Sequence, residues 1–544
     1  MPRSRRPARR RTSGRGRTGD VAAERLRRET GTLARDVRAH VCLAYPSPYR
    51  VGMSSLGFQT IYRTLNEAGL WTHRAFLPDE WDKHALAWPR PPADIRTYEG
   101  RRPPADHRVL AVSVAYELEI AGLVRLLEGA RIPVLARDRG EHDPVVVIGG
   151  PLTFSNPYPL LPFADVLVLG EAEHLVGDLV DDLLRAATRS AALAAAEGRP
   201  HMLLGELGAP FRGDLPDVGK APRTWLPARS AIVTPDTELA DMYLVEPERG
   251  CSRPCTFCVM RRSTNGGMRW FDAEEVLATI PEHARRVGLV GAAVTDHPQL
   301  EALVSGIVDS GRRIGISSLR ADRLTPRLLS LLHRGGYRQI TVASDGISER
   351  MRTMLDRRIR EEHLRTAAER VAAAGFAGLK VYEMIGAPGE TEEDVDELIE
   401  FARELASIVR LTLTFSTFVP KRNTPLDGAP FVGVETSAAR LRRIREALSG
   451  QVTLRPQSPK WAHVEYLLAR AGSEGGHAAV AAVHAGGGYR AWLKAFERVA
   501  EVGRPIRYGD EEAWARRKGL AALRVPDRIV RRREAGSNGP PRAS

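Results

Sequence analysis

Four short apolar runs occur in the first 190 residues, bounded by glycine and alternating with helical patterns such as 58–67 and 118–127. The runs are continuously hydrophobic rather than alternating, which is typical of strands buried on both faces of a parallel sheet. This pattern predicts a doubly wound α/β domain over residues 38–190, with a ligand crevice at the carboxyl ends of its strands. The predicted strands are 41–45, 109–114, 145–148 and 165–169.

A more regular alternation of strands and helices begins near residue 242, after a Pro/Gly/Ala-rich stretch at 191–235 that predicts a linker. Capping pairs at Asp272 with Glu275 and at Thr391 with Asp394 predict the starts of helices 272–286 and 392–404. Six parallel βα units predict a partial (β/α)6 barrel at 236–430, followed by helices at 431–510. The predicted barrel strands are 243–247, 289–294, 313–318, 339–344, 378–385 and 411–418.

Most of the net charge of +13 belongs to the two ends of the 544-residue chain. Residues 1–20 hold eight arginines and one aspartate, and residues 524–544 hold six arginines, one aspartate and one glutamate. Both ends lack apolar periodicity, which predicts disordered basic tails at 1–37 and 511–544. These tails could bind nucleic acid electrostatically, or they could simply be solvated, and the second interpretation is favoured.

Other features of the composition predict where the protein works. No apolar run approaches the ~18 residues that a membrane span needs, and no apolar segment follows the N-terminal arginines, so we expect no membrane anchor and no signal peptide. The chain has only four cysteines, which fits a reducing compartment. We therefore expect a cytoplasmic protein.

Three of the four cysteines fall within eight residues, as Cys251, Cys255 and Cys258 in CxxxCxxC spacing. Thiolates this close can bind one face of a metal centre together. With no fourth thiol nearby, an iron–sulfur cubane held here would keep one iron open. Zinc is the alternative, although structural zinc sites usually combine two separated ligand pairs and Cys42 lies far upstream. The spacing favours the cluster over zinc and leaves both open.

This motif, with Phe257 just before its last cysteine, resembles that of the radical S-adenosylmethionine (SAM) superfamily. The resemblance implies that Cys251, Cys255 and Cys258 hold a 4Fe–4S cluster whose fourth iron is chelated by SAM. It also implies reductive cleavage of SAM to a 5′-deoxyadenosyl radical, with an electron donor of the flavodoxin or ferredoxin type. The cofactor supplies the radical chemistry, whereas the protein orients the groups and excludes water.

The same resemblance implies SAM contacts at further strand ends. Arg320 is a candidate partner of the SAM carboxylate, with an ion pair to Asp322 as the alternative. Asp345 stands where related sequences often carry a glutamate that holds the amine or ribose of SAM. Gly386 and Pro388 resemble the family's GxPxET turn, whose small residues let the backbone approach the adenine. A strand-to-helix turn capped at Thr391 is the other interpretation of these residues, and both can hold at once.

The N-terminal domain resembles the cobalamin-binding-like domain that precedes many radical SAM cores. The resemblance rests on Gly149-Gly150-Pro151, Gly170-Glu171-Ala172-Glu173 and the loop after the first strand. The DxHxxG motif, whose histidine binds cobalt, is absent, so a bound cobalamin, a vestigial scaffold and a substrate platform all stay open. The segment 418–425 and the stretch from Ser458 to Trp492 resemble one branch of such fused proteins.

These observations predict an α/β protein with a Rossmann-like domain, a partial TIM-like barrel, a C-terminal helical extension and basic tails. We expect a radical SAM enzyme that abstracts hydrogen from an unidentified substrate, with cobalamin assistance left open. A methylthiotransferase acting on tRNA is disfavoured, because such enzymes carry three more N-terminal cysteines. The alternative from a different class is a zinc-stabilised nucleic-acid-binding protein.

Overall fold

The computed structural model describes residues 20–35, 37–81, 94–206, 217–260 and 267–500. The predicted tail at 511–544 and the first nineteen residues lie outside these ranges. Within the predicted N-terminal arm, residues 21–28 are helical, so the prediction of disorder does not hold for them. Residues Val21–Arg28 form a helix, because Ala22 and Leu26 share one face and pack on the N-terminal domain.

The N-terminal domain is built on a six-stranded sheet in the order β2-β1-β3-β4-β5-β6. All neighbours are parallel except β5 and β6, which are antiparallel. The direction of winding reverses between β1 and β3, which is where an open α/β sheet places its ligand crevice. The four predicted strands are present, and the pattern missed β2 and β6. The strands are β1 Val41–Pro48, β2 Thr72–Leu77, β3 Val109–Ser113, β4 Val145–Gly149, β5 Val166–Val168 and β6 Met202–Leu204.

Both faces of this sheet are covered, as the continuous hydrophobicity predicts. Cys42 and Ala44 in β1 belong to one buried cluster, whereas Val41 and Leu43 face the other side. β6 lies inside the predicted linker, so the sheet extends further along the chain than residue 190. The helices of this half are Tyr49–Gly52, Leu56–Glu67, Glu119–Gly129, Val176–Arg185 and Arg189–Ala196, with 3₁₀ turns at Pro104–Asp106, Ala136–Asp138, Pro151–Phe154 and Tyr158–Leu160.

A partial barrel of parallel strands forms the second half. One sheet has the order β11-β10-β7 and a second has the order β12-β13-β14-β15, and a parallel bridge between Leu319 and Val342 links them. The prediction of six strands is one short, because β15 lies in the region predicted to be helical. The strands are β7 Met242–Val245, β8 Glu248–Gly250, β9 Met268–Trp270, β10 Arg286–Leu289, β11 Arg313–Ile316, β12 Ile340–Ala343, β13 Leu379–Ile385, β14 Leu411–Thr417 and β15 Thr453–Pro456.

Two boundaries differ from the prediction for local reasons. The second barrel strand was expected at 289–294, but it ends at Leu289. Beyond its end, the N–H of Ala293 donates to the Glu248 carboxylate at 2.7 Å. The helix expected at 272–286 stops at Ala278, because Pro281 cannot continue it. The predicted capping box at Thr391 is present. The helices around the barrel are Ala273–Ala278, Leu300–Asp309, Pro326–Arg334, Glu349–Met354, Glu361–Ala373 and Glu392–Ile408, with 3₁₀ turns at Arg223–Trp225, Val294–Asp296 and Ala321–Arg323.

The C-terminal helices pack back onto the N-terminal domain. Val464, Leu468 and Trp492 are buried in the same cluster as one face of the N-terminal sheet. The side-chain amide of Asn156 donates to three main-chain oxygens of this region, at 2.8 to 3.2 Å. The two domains are therefore fastened together by the end of the described chain. These helices are Val434–Ala447, Pro459–Arg470, Glu474–His484 and Tyr489–Ala500.

None of the helices in the described ranges combines the length and the apolar character that a bilayer crossing requires.

Candidate functional site

The three motif cysteines lie in the loop that joins the strands of a short antiparallel ribbon. β8 ends at Gly250, whose φ of +95° favours glycine, and Cys251 follows at once. The loop returns to β9 at Met268. The sequence predicts the cysteines directly after the first barrel strand, whereas the structure inserts β8 between β7 and the loop. Main-chain pairing of β8 with β9 fixes both ends of this loop.

All three cysteines line a cavity of about 350 Å³ at the carboxyl ends of the barrel strands. Cys255 is buried, and Cys251 and Cys258 are partly exposed. Phe257, which directly precedes the last motif cysteine, also lines the cavity. The wall contains polar and acidic side chains from several strand ends, among them Ser318, Asp345, Tyr382, Glu383, Thr414 and Ser416.

The donor set fits three corners of an iron–sulfur cubane. Within the described ranges, no three His, Cys, Asp or Glu side chains are spaced to hold a single metal ion. Thiolates that bind three different irons need not converge on one atom. Burial raises the pKa of Cys251 and raises the pKa of Cys258 to about 11. Metal binding would therefore have to release protons from these thiols.

Arg357 is a cation of the site that sequence reasoning missed. Its guanidinium lies 4.0 Å from the sulfur of Cys255, donates to the carbonyl of Ala343 at 3.1 Å and pairs with Asp345 at 2.8 Å. This guanidinium therefore places a positive charge beside the sulfur of Cys255. Arg357 belongs to an arginine-rich run that resembles a solvated surface, so no sequence signal distinguishes it.

Asp345 is placed in the cavity wall, in agreement with its selection as a candidate. Its backbone adopts a φ of +62°, a left-handed conformation that turns the chain just after β12. Burial raises the pKa of Asp345 even though Arg357 and Arg320 oppose this effect. The carboxylate is therefore already engaged by a guanidinium, and its contact with SAM stays a prediction.

Arg320 lies outside the set of residues that line the cavity. Its guanidinium makes a two-point pair with Asp322, at 2.9 and 3.0 Å, as the alternative interpretation predicts. The pair is buried rather than superficial, because Arg320 is only 5% exposed. Asp296 lies 4.0 Å away and also binds Arg253, which does line the cavity. Arg320 reaches the cysteine loop through this shared carboxylate.

Gly386 and Pro388 also lie outside the cavity lining. The N–H of Gly386 donates to the carboxylate of Glu390 at 2.9 Å, and Arg440 pairs with the same carboxylate at 2.7 Å. Gly386 has a φ of +83°, and a Cβ there would meet Val432 at 2.4 Å. The turn therefore has a structural explanation in this chain, and its contact with adenine stays a prediction.

Glu383 is a further wall residue missed by the sequence, and it forms no ion pair with the residues that the structure describes. It is 4% exposed, and its Oε2 has no hydrogen-bond partner among the described residues. Burial raises the pKa of Glu383 to about 8, although Arg352 opposes this effect. In the sequence Glu383 is one polar residue within a buried strand, which is a weak sign of a cavity. It is neutral over much of the physiological range.

We expect Glu383→Gln to become increasingly stable relative to the parent as the pH rises. An acid whose pKa is raised on folding binds its proton more tightly in the folded state. The parent therefore loses stability as the pH rises from the usual pKa of 4.5 to the folded value of about 8, whereas glutamine does not titrate. One pKa unit corresponds to about 1.4 kcal/mol, so the difference should grow by more than ~1 kcal/mol between about pH 5 and pH 8. Urea unfolding at each pH measures it. Glu369→Gln, at an exposed position, is the control, and parallel curves for both variants would contradict the prediction.

Two family descriptions match the chain. Residues 57–201 match the family described as radical SAM proteins, N-terminal, and residues 245–402 match the radical SAM superfamily. The uncharacterised protein MJ0966 of Methanocaldococcus jannaschii is 23% identical over 406 residues, which are 72% of this chain and 80% of that protein. The tRNA-2-methylthio-N(6)-dimethylallyladenosine synthase of Halalkalibacterium halodurans is 25% identical over 228 residues, which are 38% of this chain and 42% of the synthase.

Among solved structures, the apo form of the cobalamin-dependent SAM radical enzyme OxsB aligns with a TM-score of 0.48 at 10% identity, covering 92% of this chain and 80% of that one. Its complex with aqua-cobalamin and SAM gives a TM-score of 0.45 at 13% identity, covering 76% and 56%.

Proposed function

We propose that this chain, which belongs to the radical SAM superfamily, cleaves SAM reductively at the cysteine loop and uses the resulting radical to abstract hydrogen from a substrate. The observation that carries the proposal is the shared cavity. Three thiols and a set of polar strand-end side chains line one space at the carboxyl ends of the barrel strands. Active sites of barrel enzymes lie at this end.

Cys251, Cys255 and Cys258 would hold the 4Fe–4S cluster, and Arg357 would place a positive charge beside it, next to the sulfur of Cys255. When bound, the cluster supplies the electron that cleaves SAM. The chain's own contribution is to fix the loop and to hold charge beside it. Asp345 and the hydroxyls of Ser318 and Thr414 line the space that SAM would enter, so they are the proposed polar contacts.

The reaction needs an external one-electron donor, for which we propose a flavodoxin or a ferredoxin. We also propose that the enzyme works in the cytoplasm, because its iron chemistry and its few cysteines suit a reducing compartment.

We assign no step to cobalamin. The glycines that resemble a cobalamin-binding domain pack against the chain itself, since a Cβ at Gly150 would meet Val114 at 2.6 Å and one at Gly170 would meet Gly219 at 2.5 Å. They form turns of the domain instead of an open cradle. The support for cobalamin is the type of domain, and titration of the reconstituted protein with cobalamin tests it.

Sulfur insertion is a second candidate reaction, because the name of the matched synthase describes a methylthio group on tRNA. The chain has only one cysteine beyond the motif, and Cys42 is fully buried in β1. A second cluster would need ligands that this position does not supply. We therefore favour hydrogen abstraction without sulfur transfer.

Anaerobic reconstitution followed by reduction in the presence of SAM tests the proposal. We expect a brown protein with about four irons per chain that releases 5′-deoxyadenosine. The zinc alternative predicts instead a colourless protein that contains zinc. A protein that binds four irons but leaves SAM intact after reduction would contradict the proposed reaction.

A further inference from the structure

The ribbon that carries the cysteine loop is held by carboxylates of the N-terminal domain. Arg249 of β8 pairs with Glu173 at 2.7 Å and lies 3.4 Å from Glu171. Both acids follow β5, in the Gly-Glu-Ala-Glu stretch of the N-terminal domain. Arg269 of β9, which pairs with Arg249 across the ribbon, also contacts Glu171. Each strand of the ribbon therefore has one guanidinium that contacts Glu171, and Arg249 contacts Glu173 as well.

These contacts are buried. The side chain of Arg249 is 13% exposed, those of Glu171 and Glu173 are 5% and 9% exposed, and Glu246 holds the same guanidinium at 2.6 Å. Glu171 also accepts the N–H of Ala221, at 2.7 Å. Buried charges that share hydrogen bonds are held in one geometry, since moving either partner leaves a charge without compensation.

The position of Arg249 in the chain connects this cluster to the chemistry. Only Gly250 separates Arg249 from Cys251, so a shift of β8 is a shift of the first thiol. The cluster also places the carboxylates of Glu171 and Glu173 against Arg249, two residues from Cys251, so their charge lies close to the proposed iron site. A negative charge close to a redox centre disfavours the addition of an electron.

We propose that Glu171 and Glu173 are positioning residues of the radical SAM site, acting through Arg249 and Arg269. In this proposal the N-terminal domain sets the geometry of the cysteine loop and lowers the reduction potential of its cluster. The inference rests on the proposed function, because it gives these acids a role only if the loop binds an iron–sulfur cluster. It does not depend on what the domain itself binds.

The first test uses the protein before iron is added. In Glu173→Gln, hydrogen exchange of the peptides containing β8 and β9 should be at least tenfold faster than in the parent. Asp165→Asn is the matched control, because Asp165 is a fully buried acid of the same domain that pairs with Arg139 and Arg189, away from the ribbon. Exchange in the ribbon should be unchanged in this control.

The second test uses the reconstituted protein. Glu173→Gln should bind as much iron as the parent, have a more positive midpoint potential and cleave SAM at least tenfold more slowly. Glu173→Asp, which keeps the charge, should restore the potential. Asp165→Asn should lose stability without a change in potential. These signatures separate positioning from a general loss of folding.

The outcomes also separate this inference from the proposed function. If the parent cleaves SAM and Glu173→Gln matches Asp165→Asn in exchange, potential and cleavage, the contacts only hold the domains together and the inference is overturned alone. A parent that binds no iron would overturn the proposed function and this inference with it.

Discussion

A Cys255→Ala variant is expected to leave anaerobic reconstitution without its cluster and to release no 5′-deoxyadenosine after reduction with SAM. Cys255 is the most buried of the three motif thiols, and the Arg357 guanidinium lies beside its sulfur. Replacing Cys255 by alanine leaves two thiols for a cluster that three would hold. Iron content and absorbance of the variant measure the first loss, and chromatography of the reaction mixture measures the second.

Cys42→Ala is the control for this prediction. Cys42 is fully buried in β1, on a different sheet from the cysteine loop, so its loss should reduce stability and leave iron binding as in the parent. Cleavage of SAM by Cys255→Ala at the parent rate would show that the cysteine assignment is wrong. Loss of iron in both variants would point to a general effect on folding.

The largest effect on stability is expected from Arg74→Met. Arg74 of β2 is fully buried, pairs with Glu29 at 2.7 Å and with Glu99 at 2.6 Å, and lies over the ring of Tyr62. Removing the guanidinium leaves two buried carboxylates without their cation, which costs roughly 3 to 5 kcal/mol. Since domains of this kind are stable by only about 5 to 15 kcal/mol, the loss is large. Denaturant unfolding of the full chain measures it.

Arg96→Met is the matched control, because Arg96 pairs with Asp94 on the surface, where both side chains are 42% exposed. A surface pair contributes about 0 to 1 kcal/mol, so this variant should unfold close to the parent. Equal losses in the two variants would mean that the buried cluster does not hold the N-terminal helix and β2 together as the structure indicates.

The strands of both domains were accessible to sequence reasoning because burial on both faces leaves a continuous apolar run. The run at 41–45 lies inside β1, and the run at 145–148 lies inside β4. β2 was missed because it contains His73 and Arg74, and the charge of Arg74 is compensated only by acids distant in sequence. A pattern of apolar residues cannot report a buried ion pair.

That the three cysteines share one cavity was predictable, because residues three or four positions apart in one loop lie close together. Arg357 was not, since it reaches the cavity from a loop after the helix Glu349–Met354 and has no local signature, and Glu383, within β13, gave only a weak one. Arg320 illustrates the opposite case. Its position at a strand end suggested a SAM contact, whereas its guanidinium is paired with Asp322, two residues away.

The acids of the Gly-Glu-Ala-Glu stretch show the same limit. The sequence assigned Glu171 and Glu173 no role beyond the resemblance to a cobalamin-binding-like domain, whereas in the structure both acids contact Arg249 of β8. Which domain such residues serve depends on how the two domains pack, and the C-terminal helices that fasten them lie some 300 residues further on.

The most direct test of the open iron is the electron paramagnetic resonance spectrum of the reduced, reconstituted parent, recorded before and after SAM is added. If the cysteines leave one iron free, SAM will bind to it and change the spectrum of the cluster in proportion to its occupancy. A spectrum of a four-iron cluster that saturating SAM leaves unchanged would contradict the account.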